Sequence, residues 1–410
     1  MDWTRYPIAH LVAGIMMMVT IFGGGIVFVI ALMMARKTRK TGWIITAVVS
    51  GLPTVFFLIP FLIIFGIAIV ESIRHPGDPP PETSTVQSSE TSSSPPVVSK
   101  LPPVVPKGDG VFIPAMNRVD MVHDPKRNIL YITSGDSVLQ YELKTRQFLP
   151  PLVLGGDLRG IDISPDNNQL AVADAAGGNG RVCIHVVDLQ TGKDSPAAFS
   201  AEFQESGTFS VAFGADGQIW ISSSMNGSGF LPMRKYNPST HGVQKLQSVS
   251  QDTMLAASAD HQNIAFAEAD VSPGSYGRIL YRAVQLPKPM RSEYFLYEIG
   301  ISRDGSQLAV PGYGSTLLPG SATPKLDEQQ VIAAAYHPLR DYLFVARAGT
   351  SILSVYDTTT LSNVKEFDFG DQFGWVGNHA YQTGRLKLSQ DGKYIFCTVS
   401  GGIRYAETGL

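Results

Sequence analysis

Hydrophobic and polar positions divide the chain into three unlike stretches. Positions 8–34 carry no Asp, Glu, Lys or Arg, and neither do positions 43–70. Each run exceeds the roughly 20 residues needed to cross about 30 Å of hydrocarbon. A helix this long with no polar face is unusual in a globular core. The pattern predicts two transmembrane helices, with Pro53 and Pro60 kinking the second. Gly23, Gly24 and Gly25 would let the helices approach closely, or are ordinary transmembrane composition.

Between the runs lies a short loop with Arg36, Lys37, Arg39 and Lys40 and no acid. Short basic loops stay in the cytoplasm. The expected hairpin therefore points its turn inward and leaves both termini outside. Trp43 fits the inner interface, and Trp3 or Tyr6 the outer one. A cleaved signal peptide is the alternative for the first run. Against it, the apolar run is too long, and a basic cluster follows where a cleavage site belongs.

Residues 71–110 hold 9 Pro and 11 Ser or Thr and no aromatic residue. Such a segment cannot bury enough apolar surface to offset its ordering entropy. It reads as a linker, spanning on the order of 35 Å as coil and about 120 Å as polyproline II. A plain spacer and an O-glycosylated stalk both fit.

From 111 to 410 the pattern changes to short apolar strands separated by polar turns. Seven turns recur, at 123–128, 164–169, 214–218, 258–263, 302–307, 337–341 and 389–393. They begin 35 to 52 residues apart, about 44 on average. That period, with several strands in each unit, predicts the blades of a propeller. The fold class expected is all-β, a seven-bladed β-propeller preceded by the two-helix hairpin. The last blade reaches Leu410 one strand short, and residues 111–116 are predicted to supply it and close the ring. One blade reads in full, with strands at 158–164, 170–174, 182–189 and 197–203 and a glycine loop at 176–180.

Two segments resemble the YVTN-type seven-bladed propeller repeat: Leu130-Tyr131-Ile132-Thr133-Ser134-Gly135-Asp136 with Gln140-Tyr141-Glu142-Leu143, and Ile352-Leu353-Ser354-Val355-Tyr356-Asp357. The resemblance covers about 111–410. It implies the fold and only a broad range of roles. That group includes extracytoplasmic binding and surface proteins, subunits of larger assemblies and relatives of lactonase-type enzymes. The third to fifth units depart from the repeat with long loops.

Within a blade of strands a to d, the a–b and c–d turns share one face, and the b–c and d–a connections share the other. The long connections are of the second kind, at 225–232, 270–277, 312–316 and 371–383. Scaffolded loops carry binding residues more often than the strands do. Phe230, Tyr276, Tyr313, Phe373, Trp375 and Tyr381 give this face an aromatic character suited to a protein partner or an organic ligand. Arg347 and His379 join them as polar candidates. Asp174, Glu268 and Arg347 end their strands near the channel mouth, with Asp136 and Tyr313 close by; they form either a solvated rim or a site for a polar ligand or cation.

Composition narrows the function. Net charge is −3, from 32 Lys and Arg against 35 Asp and Glu. Nucleic-acid affinity rests on phosphate neutralisation, so no such partner is expected. Two cysteines, Cys183 and Cys397, rule out a disulfide scaffold and an all-cysteine zinc site. The chain has no nucleophile elbow, no P-loop and no haem-attachment motif. No catalytic residue, metal ligand or cofactor is assigned. The reading that results is a non-enzymatic binding or scaffold module. It would be anchored in the cytoplasmic (inner) membrane with its propeller on the extracytoplasmic, periplasmic side, as an accessory subunit with membrane or extracytoplasmic protein partners. A lactonase-like or other hydrolytic propeller is the alternative, with its site at the channel mouth.

Overall fold

The computed structural model describes residues 107–268, 276–281, 284–285, 290–291, 298–309, 331–374, 380–381 and 383–410, all within the unit Ser99–Leu410. The predicted hairpin and the linker as far as residue 106 lie outside the described residues. Among the described residues no helix is long and apolar enough to cross a membrane.

Every regular element described is a strand. β1 (Val111–Pro114) comes first. β2 (Arg118–Asp124), β3 (Ile129–Ser134), β4 (Ser137–Glu142) and β5 (Gln147–Val153) then form one antiparallel sheet. β6 (Leu158–Ile163), β7 (Gln169–Gly178), β8 (Arg181–Asp188) and β9 (Ala197–Ser200) form the next. β10 (Glu205–Phe213), β11 (Ile219–Met225), β12 (Phe230–Asn237) and β13 (Gly242–Ser250) form the third. The fourth holds β14 (Met254–Ala257), β15 (Asn263–Ala267), β16 (Tyr276–Tyr281), β17 (Val284–Gln285) and β18 (Met290–Arg291). β19 (Gly300–Ile301) and β20 (Leu308–Ala309) represent the fifth. β21 (Val331–Tyr336), β22 (Tyr342–Arg347), β23 (Ile352–Asp357) and β24 (Asn363–Asp368) form the sixth. β25 (Leu386–Leu388), β26 (Tyr394–Val399) and β27 (Gly402–Glu407) make the last, completed by β1.

The innermost strands touch in one cycle: β2 with β6, β6 with β10, β10 with β14, β14 with β19, β19 with β21, β21 with β25, and β25 with β2. That closed ring of antiparallel sheets is a β-propeller. Its seam runs as the sequence predicts, with Val111 opposite Tyr405 and Pro114 opposite Gly402. Contacts with the sixth sheet begin just before β1. Asp109 N–H donates to the Asp368 carbonyl at 2.6 Å, and its carboxylate accepts from the Asp368 N–H at 2.8 Å.

All seven predicted turns connect a first to a second strand of a sheet. Their chemistry explains the repeat. Ser164, Ser258, Ser302 and Ser389 each donate a hydroxyl hydrogen to the Asp two positions on, at 2.5 to 2.8 Å. Those aspartates then accept from backbone N–H groups of Asn168, Gln262, Ser306 and Lys393. The residue after the Asp sits in the left-handed region, as Asn167, His261, Gly305 and Gly392 do, a conformation Gly and Asn adopt most readily. One local expectation shifts. The glycine run at 176–180 is not an open loop: β7 continues to Gly178, which pairs with Arg181 across a tight turn at Asn179 and Gly180, both at positive φ.

Apolar clusters fill the junctions between sheets. Leu170, Val172 and Val187 pack toward Ile129, Tyr131 and Val138 of the preceding sheet. On the opposite face of β7, Ala171 and Ala173 pack toward Val211, Phe213 and Ile221. Strands buried on both faces read as continuous apolar runs, which is why this stretch does.

Candidate functional site

Each innermost strand enters the channel wall from a d–a connection and leaves it at an a–b turn. The two ends of the channel differ.

Toward the end served by the long connections, an ionic cluster sits inside the ring. Arg385, just before β25, donates from Nε and Nη2 to the two carboxylate oxygens of Asp120 on β2, at 2.7 and 3.1 Å. Its Nη1 donates to Glu298, just before β19. Asp120 also accepts from the N–H groups of Met121 and Ile161, at 2.8 and 3.2 Å. The Tyr381 ring lies over the guanidinium, 4.9 Å from centroid to Cζ. Its hydroxyl donates to the Phe209 carbonyl on β10 at 2.8 Å. Gly160 on β6 leaves room for it, since a Cβ there would come within 2.7 Å of the hydroxyl. Burial works to raise the Asp120 carboxyl, but Arg385 outweighs it and holds the group below its ordinary range. Burial and the Asp120 charge push the Tyr381 hydroxyl up, so it stays protonated as a donor.

The opposite end opens at the a–b turns into a cavity of about 180 Å³, with Asp162, His261, Tyr336 and Lys387 in its lining. Asp162 accepts from the Phe213 N–H at 2.7 Å. Burial pushes its carboxyl up against the opposing pull of His261 and Lys387. The volume falls below the roughly 300 Å³ of small-molecule pockets. It suits a few waters or one ion.

The predicted aromatic face separates into different fates. Phe230, first in β12, stands 58% exposed. Arg347, last in β22, is half-buried and donates to Ser354 Oγ at 3.0 Å. Phe373 and Tyr381, expected on the surface, are interior at 1% and 9% exposure. Phe373 packs with Ile332 and Leu386, and its N–H donates to the Thr350 carbonyl at 2.8 Å. The described ends of the 371–383 excursion thus turn inward, Phe373 into the apolar junction between the sixth and last sheets and Tyr381 against Phe209 and Arg385. Tyr276 opens β16 opposite Arg291. Tyr313, Trp375 and His379 lie outside the described residues.

One exposed ring was not among the sequence candidates. Phe203 follows β9 and is 82% exposed. Its loop is tied to the one before Phe230, since Asn226 N–H donates to the Gln204 carbonyl at 2.8 Å. Beside it, Glu202 pairs with Lys245 of β13. Only the early end of β9, at Ser200, distinguishes Phe203 from a strand residue, and sequence alternation did not show that.

A second group lies on the same side, at the strand ends of the second sheet. Asp174, Cys183 and His185 bring a carboxylate, a thiol and an imidazole together, with ligand atoms all within 4.8 Å of one another. Burial acts against both charged partners here, but their mutual contacts outweigh it. Asp174 is held down at about 2 by His185 and by the Asp157 and Ala176 N–H groups, and His185 is pushed up to about 11 by Asp174 and Asp194. Cys183 is half-buried and free, whereas Cys397 is buried and its thiol is pushed up by burial. The sequence signal was a Cys-x-His pair in one strand, which strand alternation puts on one face.

Fold and closure define the described chain as a β-propeller, and comparison with known proteins agrees at that level. A chain of Kuenenia stuttgartiensis hydrazine synthase is similar with a TM-score of 0.54 at 15% identity, over 73% of this chain and 97% of that one. A chain in the crystal structure of a mitotic checkpoint complex is similar with a TM-score of 0.52 at 11% identity, over 80% and 99%. No family model matches the chain. No curated protein matches it either.

Proposed function

We propose that this chain is a membrane-anchored, extracytoplasmic propeller of the YVTN type that binds a protein partner through its loop face. It acts as a non-enzymatic scaffold, an accessory subunit of a membrane protein complex. The observation that carries the reading is the pair of exposed rings, Phe203 and Phe230, on two loops joined by a backbone hydrogen bond. Large aromatic side chains held out on fixed loops dominate binding energy at protein interfaces. The uncharged runs 8–34 and 43–70 and the basic loop between them support anchoring in the inner membrane with the propeller outside. Against a hydrolytic site at the channel mouth stands the pairing of Arg385 with Asp120 and Glu298, which commits those three groups to one another.

The test is capture from membranes solubilised in mild detergent. A Phe203→Ser/Phe230→Ser variant should lose co-purifying membrane proteins by tenfold or more at an unchanged melting temperature. Capture equal to that of the unaltered chain would overturn the reading.

A further inference from the structure

We propose that Asp174, Cys183 and His185 form a binding site for a zinc-class divalent ion on the second sheet. Three features of the fold converge on it. Asp174 on β7 lies directly opposite Cys183 on β8. His185 is two residues further along β8, hence on the same face. That face also carries Leu170, Val172 and Val187, packed toward the preceding sheet, so the group sits at the edge of an apolar wall.

The separations lie close to those of coordination, although Cys183 Sγ also donates a hydrogen bond to Asp174 Oδ2. Asp174 Oδ2 lies 3.5 Å from Cys183 Sγ and 3.7 Å from His185 Nε2. Bonds of about 2.0 to 2.3 Å in a tetrahedral zinc site place ligand atoms roughly 3.3 to 3.6 Å apart. The distance of 3.7 Å is too long for a hydrogen bond. The His185 side chain is only 7% exposed, and its Nε2 has no hydrogen-bond partner. A buried polar atom left without a partner calls for an explanation.

The surroundings orient the ligands. His185 Nδ1 lies 2.7 Å from Asp194 Oδ2. A carboxylate there keeps a proton on Nδ1 and aims Nε2 at Asp174 and Cys183, so an arriving ion would displace the Nε2 proton, in the outer arrangement common to metal-bound histidines. Asp174 Oδ1 accepts from the Asp157 and Ala176 N–H groups, both at 2.8 Å, which fixes the carboxylate and leaves Oδ2 facing the other two ligands. Gly156 gives it space, since a Cβ would lie 2.3 Å from Oδ1. Thiolate and imidazole together select zinc-like ions over magnesium or calcium. Half-exposed Cys183 leaves a fourth position open toward solvent for water or a group on a bound protein.

The test uses the full chain in detergent, stripped with a chelator. Zinc should then bind one ion per chain and protect Cys183 from alkylation, a readout that needs no substitution. Cobalt should give a thiolate charge-transfer absorption that Cys183→Ser abolishes and Cys397→Ser keeps. Asp194→Asn should keep the absorption but weaken affinity 10- to 100-fold. If zinc leaves alkylation of Cys183 unchanged in the unaltered chain, the site does not exist and His185 is an imidazolium held between two aspartates. Cobalt absorption that survives in Cys183→Ser would equally overturn the proposal.

Discussion

The hydroxyl of Tyr381 donates to the carbonyl of Phe209 at 2.8 Å, joining residues 172 positions apart across the channel. Tyr381 reaches β10 from the segment that leads into the last sheet, so the contact ties opposite sides of the ring together. Its ring packs with Met254, Ile299 and Leu308 as well as Phe209. Tyr381→Phe keeps the ring and leaves the carbonyl unpaired, which should cost about 1–3 kcal/mol. Tyr381→Ala also empties the channel and should cost about 3–5 kcal/mol. Denaturant unfolding measures both. Two variants of equal stability would show that the hydroxyl contributes nothing.

Arg385 neutralises two buried acids at once. Replacing it by Met leaves Asp120 and Glu298 buried and unmatched, so Arg385→Met should lose about 3–5 kcal/mol. Arg385→Lys should recover little, because a point charge cannot reproduce the two-pronged contact with Asp120. The second substitution Asp120→Asn in the Met background should then cost less than it does alone. Additive costs in that cycle would mean the pair is not coupled.

Ring closure depends on β1. Ile113 is fully buried among Phe396, Ile403 and Tyr405. Ile113→Ala should cost about 2–5 kcal/mol. Deletion of residues 111–114 should lower the melting temperature further, by exposing the backbone edge of β27. An unchanged melting curve on deletion would mean the seam carries no stability.

The ring was legible in the sequence, and most of the working surface was not. Turn chemistry is local: a Ser, an Asp two positions on and a left-handed residue announce a hairpin wherever they occur. The missing strand at 111–116 followed from counting. Burial of a loop is not local. Phe373 and Tyr381 look like exposed loop aromatics until the sheet junction and the channel that bury them are known, and Phe203 looks like a strand residue until β9 ends at Ser200. The metal-ligand group was hidden for a different reason. Cys183 and His185 are neighbours on one strand, but their third member, Asp174, joins them only through the register of β7 against β8.

Acid should destabilise the propeller through His337. This ring is buried at the a–b turn of the sixth sheet, and its Nδ1 accepts from the N–H groups of both Leu339 and Arg340, at 3.1 Å each. Burial first, and the Arg340 charge second, push its pKa below the ordinary value near 6.5; the Gly392 backbone and then the Asp391 charge pull the other way. Protonating Nδ1 would turn an acceptor of two hydrogen bonds into a donor facing two donors. The folded chain therefore keeps His337 neutral at pH values where the unfolded chain has already bound a proton. Stability from this residue is complete above about pH 6.5 and falls as the pH drops toward the folded value, by at most about 1.4 kcal/mol per pH unit. His123, whose pKa burial also lowers, adds a loss of the same sign. The melting temperature should decline between pH 7 and pH 5. In His337→Asn an amide oxygen replaces the Nδ1 acceptor without titrating, so the decline should become shallower. An equally steep decline in that variant would remove His337 from the account.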